Sequence, residues 1–263
     1  MTDYEHLEAS VEGGVATVTL DRPDVRNALS AGLIEELTRC MGEMSELEDV
    51  RVVVLTGRGE SFCAGADIGY MRQTAGFSYE ENLGDARRLA ALFETIAACP
   101  KPVVACVMGA AIGGGVGLVA AADVGVAEEG CVFAFSEVRL GITPATIAPF
   151  VLRKIGHSHA RSLFLTGERF GAERAREIGL VHEVAPGEEL DELVRKKAGQ
   201  LVSGGPEALA STKRLLGELE EAGPQEAAGI TAARIAELRT GEEGQEGLTA
   251  FLEKRKPRWS SER

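Results

Sequence analysis

Two glycine-rich turns and one glutamate carry the chemistry open to this sequence. The first turn is Phe62-Cys63-Ala64-Gly65-Ala66-Asp67-Ile68. The second is Ala111-Ile112-Gly113-Gly114-Gly115-Val116-Gly117-Leu118. Each follows an apolar run of the kind that forms a buried strand, Val52-Val53-Val54-Leu55 and Val103-Val104-Ala105-Cys106-Val107. Side chains this small let a ligand approach backbone N–H groups at a strand end. Two such groups aimed at one oxygen make an oxyanion hole. Close packing of helix on sheet through glycine explains the same residues equally well. The glutamate is Glu137, just beyond an apolar strand and flanked by Phe133, Phe135, Val138 and Leu140. A carboxylate in apolar surroundings has a raised pKa and can serve as acid or base. A surface glutamate paired with Arg139 is the competing account.

Other familiar constellations are missing. No GxxxxGK[ST] loop is present, and the glycines at 113, 114, 115 and 117 do not spell GxGxxG. Gly156-His157-Ser158-His159-Ala160 approximates a nucleophile elbow but ends in Ala and lies between helical segments. Its two histidines read as surface residues with no carboxylates spaced for a metal. Cys40, Cys63, Cys99, Cys106 and Cys131 are scattered and odd in number, without a CxxC pair. Neither a disulfide scaffold nor structural zinc fits, and a reducing, cytoplasmic compartment does. No metal is expected.

The elements that position these turns follow from periodicity. Residues 5–20 alternate as a hairpin turned at Glu12-Gly13-Gly14. Ser30 caps a helix with Leu33, Leu37, Met41 and Met44 on one face. A helix spans about 79–98, and a loop and small-residue helix occupy 109–123. Short strands are expected at 124–127 and 132–135. Beyond 144 the pattern is mostly helical, with a turn, helix and short strand at 166–184 and charged amphipathic helices after Pro206. The chain is therefore α/β in front and α behind, divided at 1–200 and 201–263, with no linker and no sequence repeat.

Composition narrows the field further. With 28 Lys+Arg against 41 Asp+Glu, the net charge of −13 disfavours phosphate backbones and anionic lipid. The uncharged run 102–122 is long enough to span a bilayer but holds Pro102 and five glycines, so it reads as strand, loop and helix. The N-terminus lacks the basic start and apolar run of a signal peptide.

Five stretches together resemble the enoyl-CoA hydratase/isomerase (crotonase) superfamily: DRPDVRNALS at 21–30, VRVVVLTGRGESFCAGADI at 50–68, KPVVACVMGAAIGGGVGLVAAADV at 101–124, FAFSEVRLGITP at 133–144 and LFLTGERFGAERAREIGLVHEV at 163–184. The resemblance implies a spiral of ββα units followed by a C-terminal helical region that packs trimers, often paired into hexamers. It implies an acyl-CoA thioester as substrate and no separate cofactor. It assigns the oxyanion donors to the N–H groups of Ala66 and Gly114 and proton transfer to Glu137. Coenzyme A would lie along 22–28 and 64–68, near Arg22, Arg26, Ala28, Ala64, Asp67 and Ile68, with Gly113 and Gly117 also beside the substrate. Hydratases of the best-known type use two glutamates, and the first would fall where this chain has Gly117. Δ3–Δ2-enoyl-CoA isomerases use one, at the position of Glu137. The segments FSEVRLGITPATIAPFV and AGFSYEENLGDARRLA look like the methylglutaconyl-CoA hydratase-like branch of leucine degradation, where a small residue can stand at position 117. Hydration of a 2-enoyl-CoA is therefore the expectation, branched or dicarboxylic chains included. Arg72, Arg87 and Arg88 are candidates to meet a distal carboxylate, although solvated helix charges are the simpler reading for most of them. A non-catalytic acyl-CoA- or RNA-binding relative is the remote alternative, and the acidic balance argues against RNA.

Overall fold

The computed structural model describes residues 3–260. Strands β1 (Leu7–Glu12) and β2 (Val15–Leu20) form the expected antiparallel hairpin, turned by Gly13 and Gly14 at φ 53° and 80°. Positive φ at both turn positions is what the glycine pair supplies. Helix α1 (Ala31–Glu46) starts at Ser30, whose hydroxyl accepts from the Leu33 N–H, and buries Leu33, Ile34, Leu37, Cys40, Met41 and Met44. Strand β3 (Val52–Gly57) leads to the first glycine turn, then to α2 (Ile68–Thr74) and α3 (Tyr79–Ala98). Ser78 and Glu81 form a capping box that fixes the start of α3. Strands β4 (Val103–Val107) and β5 (Ala110–Ile112) precede the second glycine turn and α4 (Gly114–Ala121).

The strand–strand–helix rhythm continues through β6 (Val124–Glu128), β7 (Val132–Ala134), a short 3-10 turn at Glu137–Leu140 and α5 (Ala148–Thr166). Then come β8 (Arg169–Gly171), α6 (Ala172–Glu177), β9 (Glu183–Ala185) and α7 (Gly187–Val202). The chain ends in α8 (Pro206–Glu221), α9 (Pro224–Thr240) and α10 (Glu242–Leu252), which pack on one another.

One strand of each turn of the spiral joins a six-stranded sheet of order β1-β2-β3-β4-β6-β9, parallel except for the hairpin. Others form a smaller sheet, β5-β7-β8. Strands β3 and β4 are buried on both faces, which is why they read as unbroken apolar runs. Val53, Leu55, Val103 and Ala105 face the main core shared with α1, α3 and α4. Val52, Val54, Val104 and Cys106 face Leu190, Val194 and Ala198 of α7.

The run 102–122 is β4, β5 and α4, and among the described residues no helix is long and apolar enough to cross a membrane. Three short elements depart from the sequence expectation. β5 and β8 have three residues each, too few for alternation to register, and α2 is hidden inside a glycine-rich stretch expected as loop. The Gly156 region is a kink within α5, with Gly156 at φ 69° and ψ 166°.

Candidate active site

The first glycine turn is stitched to its surroundings by main-chain bonds. Leu29 donates to the Gly65 carbonyl at 2.7 Å and accepts from the Asp67 N–H at 3.1 Å, a parallel bridge opposite Ala66. In such a bridge the central residue turns its own N–H away from the partner, so the Ala66 amide points to the other side. Cys63 is likewise bridged to β5, with Cys63 N–H to Ala110 O and Ile112 N–H to Cys63 O both at 3.0 Å. Gly65 has φ 91°, and a Cβ there would lie 2.8 Å from the Ile112 carbonyl oxygen. Glycine is thus required at 65 for both the backbone angle and the close approach of the two turns.

The second turn has the same logic. Gly113, at φ 52°, donates to Ala134 O at 2.8 Å and bends the chain into α4. Gly114 opens that helix, where an amide has no intrahelical acceptor. Neither the Ala66 nor the Gly114 N–H donates to an acceptor among the described residues. Both residues line one cavity of about 650 Å³.

Glu137 enters that cavity from the 3-10 turn after β7. Its Oε1 lies 3.1 Å from where a Cβ on residue 113 would stand, so the missing side chain at Gly113 is the space the carboxylate uses. Its Oε2 is buried without a hydrogen-bond partner. Burial pushes the Glu137 carboxyl pKa above its ordinary value. The alternative pairing with Arg139 is absent. The Arg139 Nε donates instead to the Gly167 carbonyl at 2.9 Å, tying the turn to the end of α5. Hydrophobic side chains, among them Leu29, Ile34, Met71, Leu89, Ile142 and Ile147, make most of the remaining wall.

Gly117 does not line the cavity. It is buried, and a Cβ at this position would meet Ile147 Cγ2 at 2.3 Å and two Phe93 ring carbons at 2.8 Å. Position 117 is sealed from the cavity by Ile147 and Phe93, which would have to shift to admit any side chain there.

The remaining candidates divide. Ala64 and Gly113 line the cavity. Arg22 pairs with Asp67 at 3.0 Å and also donates to the Ala28 carbonyl at 2.5 Å. Asp67 caps α2 by accepting from the Tyr70 N–H at 2.9 Å, and that bond, together with Arg22, holds its carboxyl below the usual range. The pair fastens the 22–28 segment to the Ala66 turn. Ala28 is packed inside, whereas Arg26 and Ile68 are exposed beyond the cavity lining. Arg72, Arg87 and Arg88 are all exposed and none lines the cavity. Two lining residues escaped sequence reading. The Tyr70 hydroxyl on α2 donates to the Asp85 carboxylate on α3, and Asp85 also receives Arg88 at 3.0 Å. A contact fifteen residues apart across two helices leaves no local sequence signal.

Known proteins resemble this chain in sequence and fold. A family model described as enoyl-CoA hydratase/isomerase matches residues 10–262. The crystal structure of an enoyl-CoA hydratase from Shewanella pealeana superposes with a TM-score of 0.94 at 39% identity, covering 97% of this chain and 96% of that one. The short-chain-enoyl-CoA hydratase of Clostridium acetobutylicum is 34% identical over 251 residues, 93% of this chain and 94% of the relative. The crotonyl-CoA hydratase of Syntrophomonas wolfei is 34% identical over 264 residues, 98% and 99% respectively. With the spiral fold, the paired glycine turns and these matches along nearly its whole length, the chain belongs to the enoyl-CoA hydratase/isomerase family.

Proposed function

We propose that the chain hydrates 2-enoyl-CoA thioesters with Glu137 as its single proton-transferring residue. The observation that carries this reading is one carboxylate with an unpartnered oxygen sharing a largely apolar cavity with two uncommitted backbone amides. The thioester oxygen sits between the Ala66 and Gly114 N–H groups. Glu137, ionised, takes a proton from a water molecule as the water oxygen bonds to C3 of the acyl chain. The electrons of the double bond move through C2 onto the thioester oxygen, making an enolate. The two amides bind that charge more strongly than the neutral ground-state carbonyl, and one such donor typically lowers a barrier by about 2.7–4 kcal/mol. Protonated Glu137 then delivers its proton to C2, the carbonyl re-forms, and H and OH have been added across the bond. Burial suits the residue to both halves, because it weakens the carboxylate's preference for the charged form.

Coenzyme A is proposed to lie over 22–28 and 64–68. The Ala64 N–H donates to the Arg26 carbonyl at 2.9 Å, so the exposed Arg26 side chain starts beside the cavity mouth, where a phosphate would pass. Branched acyl chains fit a wall of this kind. Exposed Leu248, Phe251 and Leu252 on α10 supply an apolar surface for the trimer or hexamer the family resemblance implies. The free, buried cysteines accord with a cytoplasmic setting.

The sealed wall at Gly117 favours any chemistry that needs one carboxylate, so a Δ3–Δ2-enoyl-CoA isomerase is the second reading. Loss of the enoyl-thioester ultraviolet absorbance from crotonyl-CoA marks a hydratase, whereas its appearance from a 3-enoyl-CoA marks an isomerase. In Glu137→Gln, kcat on the accepted substrate should fall by roughly 10²–10⁴ with KM little changed. Activity near wild type would remove Glu137 from the mechanism.

A further inference from the structure

The cavity holds a second carboxylate, and it bears on which acyl chains can enter. Along α3, Asn82, Asp85, Ala86 and Leu89 recur at helical spacing on the face that lines the cavity. The Asp85 side chain is 22% exposed. It is held by the Tyr70 hydroxyl from α2 and by Arg88, whose own side chain is 59% exposed and outside the lining. Among the described residues, no Lys, Arg or His lines the cavity, so its acidic groups are Glu137 and Asp85 and its cationic groups are none.

We infer that Asp85 is a specificity-determining residue that confines the enzyme to uncharged acyl chains and rejects those ending in a carboxylate. The inference rests on the acyl chain occupying this cavity. Such a chain would bring a further negative charge against a wall where Glu137 has no cationic partner and Asp85 shares only the solvent-exposed Arg88, which lies outside the lining. Like charges in surroundings of low polarity repel far more strongly than in water. Discrimination of this kind is achieved by a repulsive element set against the unwanted ligand, not by tighter binding of the wanted one. Tyr70 is a positioning residue, since its hydroxyl keeps Asp85 on the wall.

Steady-state hydration of glutaconyl-CoA and of its ω-carboxamide, equal in shape and different in charge, tests this directly. The wild-type protein should favour the carboxamide in kcat/KM by roughly tenfold or more, mainly through KM. Asp85→Asn should narrow that gap by raising kcat/KM for glutaconyl-CoA, while Asp85→Glu, which keeps the charge, should preserve it. If Asp85→Asn does not fold, Asp85→Ser reads the same way. Wild-type preference for glutaconyl-CoA would overturn the inference and would point to Arg88 and Tyr70 as readers of the distal carboxylate. An unchanged gap in the Asn or Ser variant would overturn it as well. Crotonyl-CoA, run beside them, separates the two levels. Failure to hydrate it sinks the hydratase reading itself, whereas hydration with no charge discrimination sinks the role of Asp85 alone.

Discussion

The core behind position 117 stands against a second carboxylate there, and it can be probed by adding one carbon. In Gly117→Ala the new Cβ would lie 2.3 Å from Ile147 Cγ2 and 2.8 Å from Phe93 Cε1 and Cζ. Ile147 and Phe93 are almost wholly buried, and Phe93 packs against Phe150 with ring centroids 5.9 Å apart, so neither can swing aside freely. Overpacking of this kind costs about 1–3 kcal/mol, and contacts so short argue for the upper end. Exchanging glycine for alanine inside α4 returns about 1 kcal/mol of helix propensity. The net loss is then about 2 kcal/mol. For a chain of this size each kcal/mol is worth roughly 2–4 °C, so Tm should fall by about 4–8 °C. Gly117→Glu must also bury a carboxylate among these side chains and should be more damaging still. A thermal melt of the purified variants, read beside their hydration of crotonyl-CoA, gives both quantities. Restoring room with Phe93→Leu should recover part of the loss in the double variant, since residues in contact are coupled. A Gly117→Ala protein as stable as wild type would refute the sealed-wall argument. So would a soluble Gly117→Glu protein with faster hydration, because the second carboxylate would then have found its place.

Two further outcomes follow from the same geometry. Gly65→Ala should lower kcat by about 10²–10³, because φ 91° and the Ile112 carbonyl 2.8 Å away force the Ala66 amide out of line, and unchanged kcat would remove that amide as a donor. Glu137 must be ionised to take the water proton, and burial raises its pKa above the usual 4.5. The acid limb of kcat/KM should therefore have its midpoint above that value, with activity lost as pH falls through it. The linked stability runs the other way, since a raised folded-state pKa means that stability is lost as pH rises through it. Glu137→Gln should accordingly melt higher than wild type at neutral pH, and a lower Tm would contradict the burial argument.

The sequence exposed the two candidate turns because glycine stood there for steric reasons that leave a compositional mark. Gly65 and Gly115 face backbone atoms closer than a side chain allows, Gly113 stands tight against the Glu137 carboxylate, and runs of such residues after apolar strands are visible without coordinates. Glu137 was legible from the apolar run it follows, and its carboxyl is indeed largely buried. Gly117 carried the same glycine signal for a different cause, close packing against Phe93 and Ile147, and nothing local separates the two. Arg22 and Asp67 were found as a pair of segments but not as an ion pair, because their contact depends on how the 22–28 turn folds back over the cavity mouth. Tyr70 and Asp85 were invisible, being joined by a tertiary contact between helices. Strands of three residues, such as β5, are defined by their neighbours more than by their own side chains.

The bridges at Leu29 and Cys63 are made wholly of peptide groups, so the position of the amides proposed to bind the thioester oxygen owes little to which side chains decorate the pocket. On the proposed mechanism, a scaffold so arranged needs only one carboxylate beside those amides, and the surrounding side chains are left to choose which enolates form and what becomes of them.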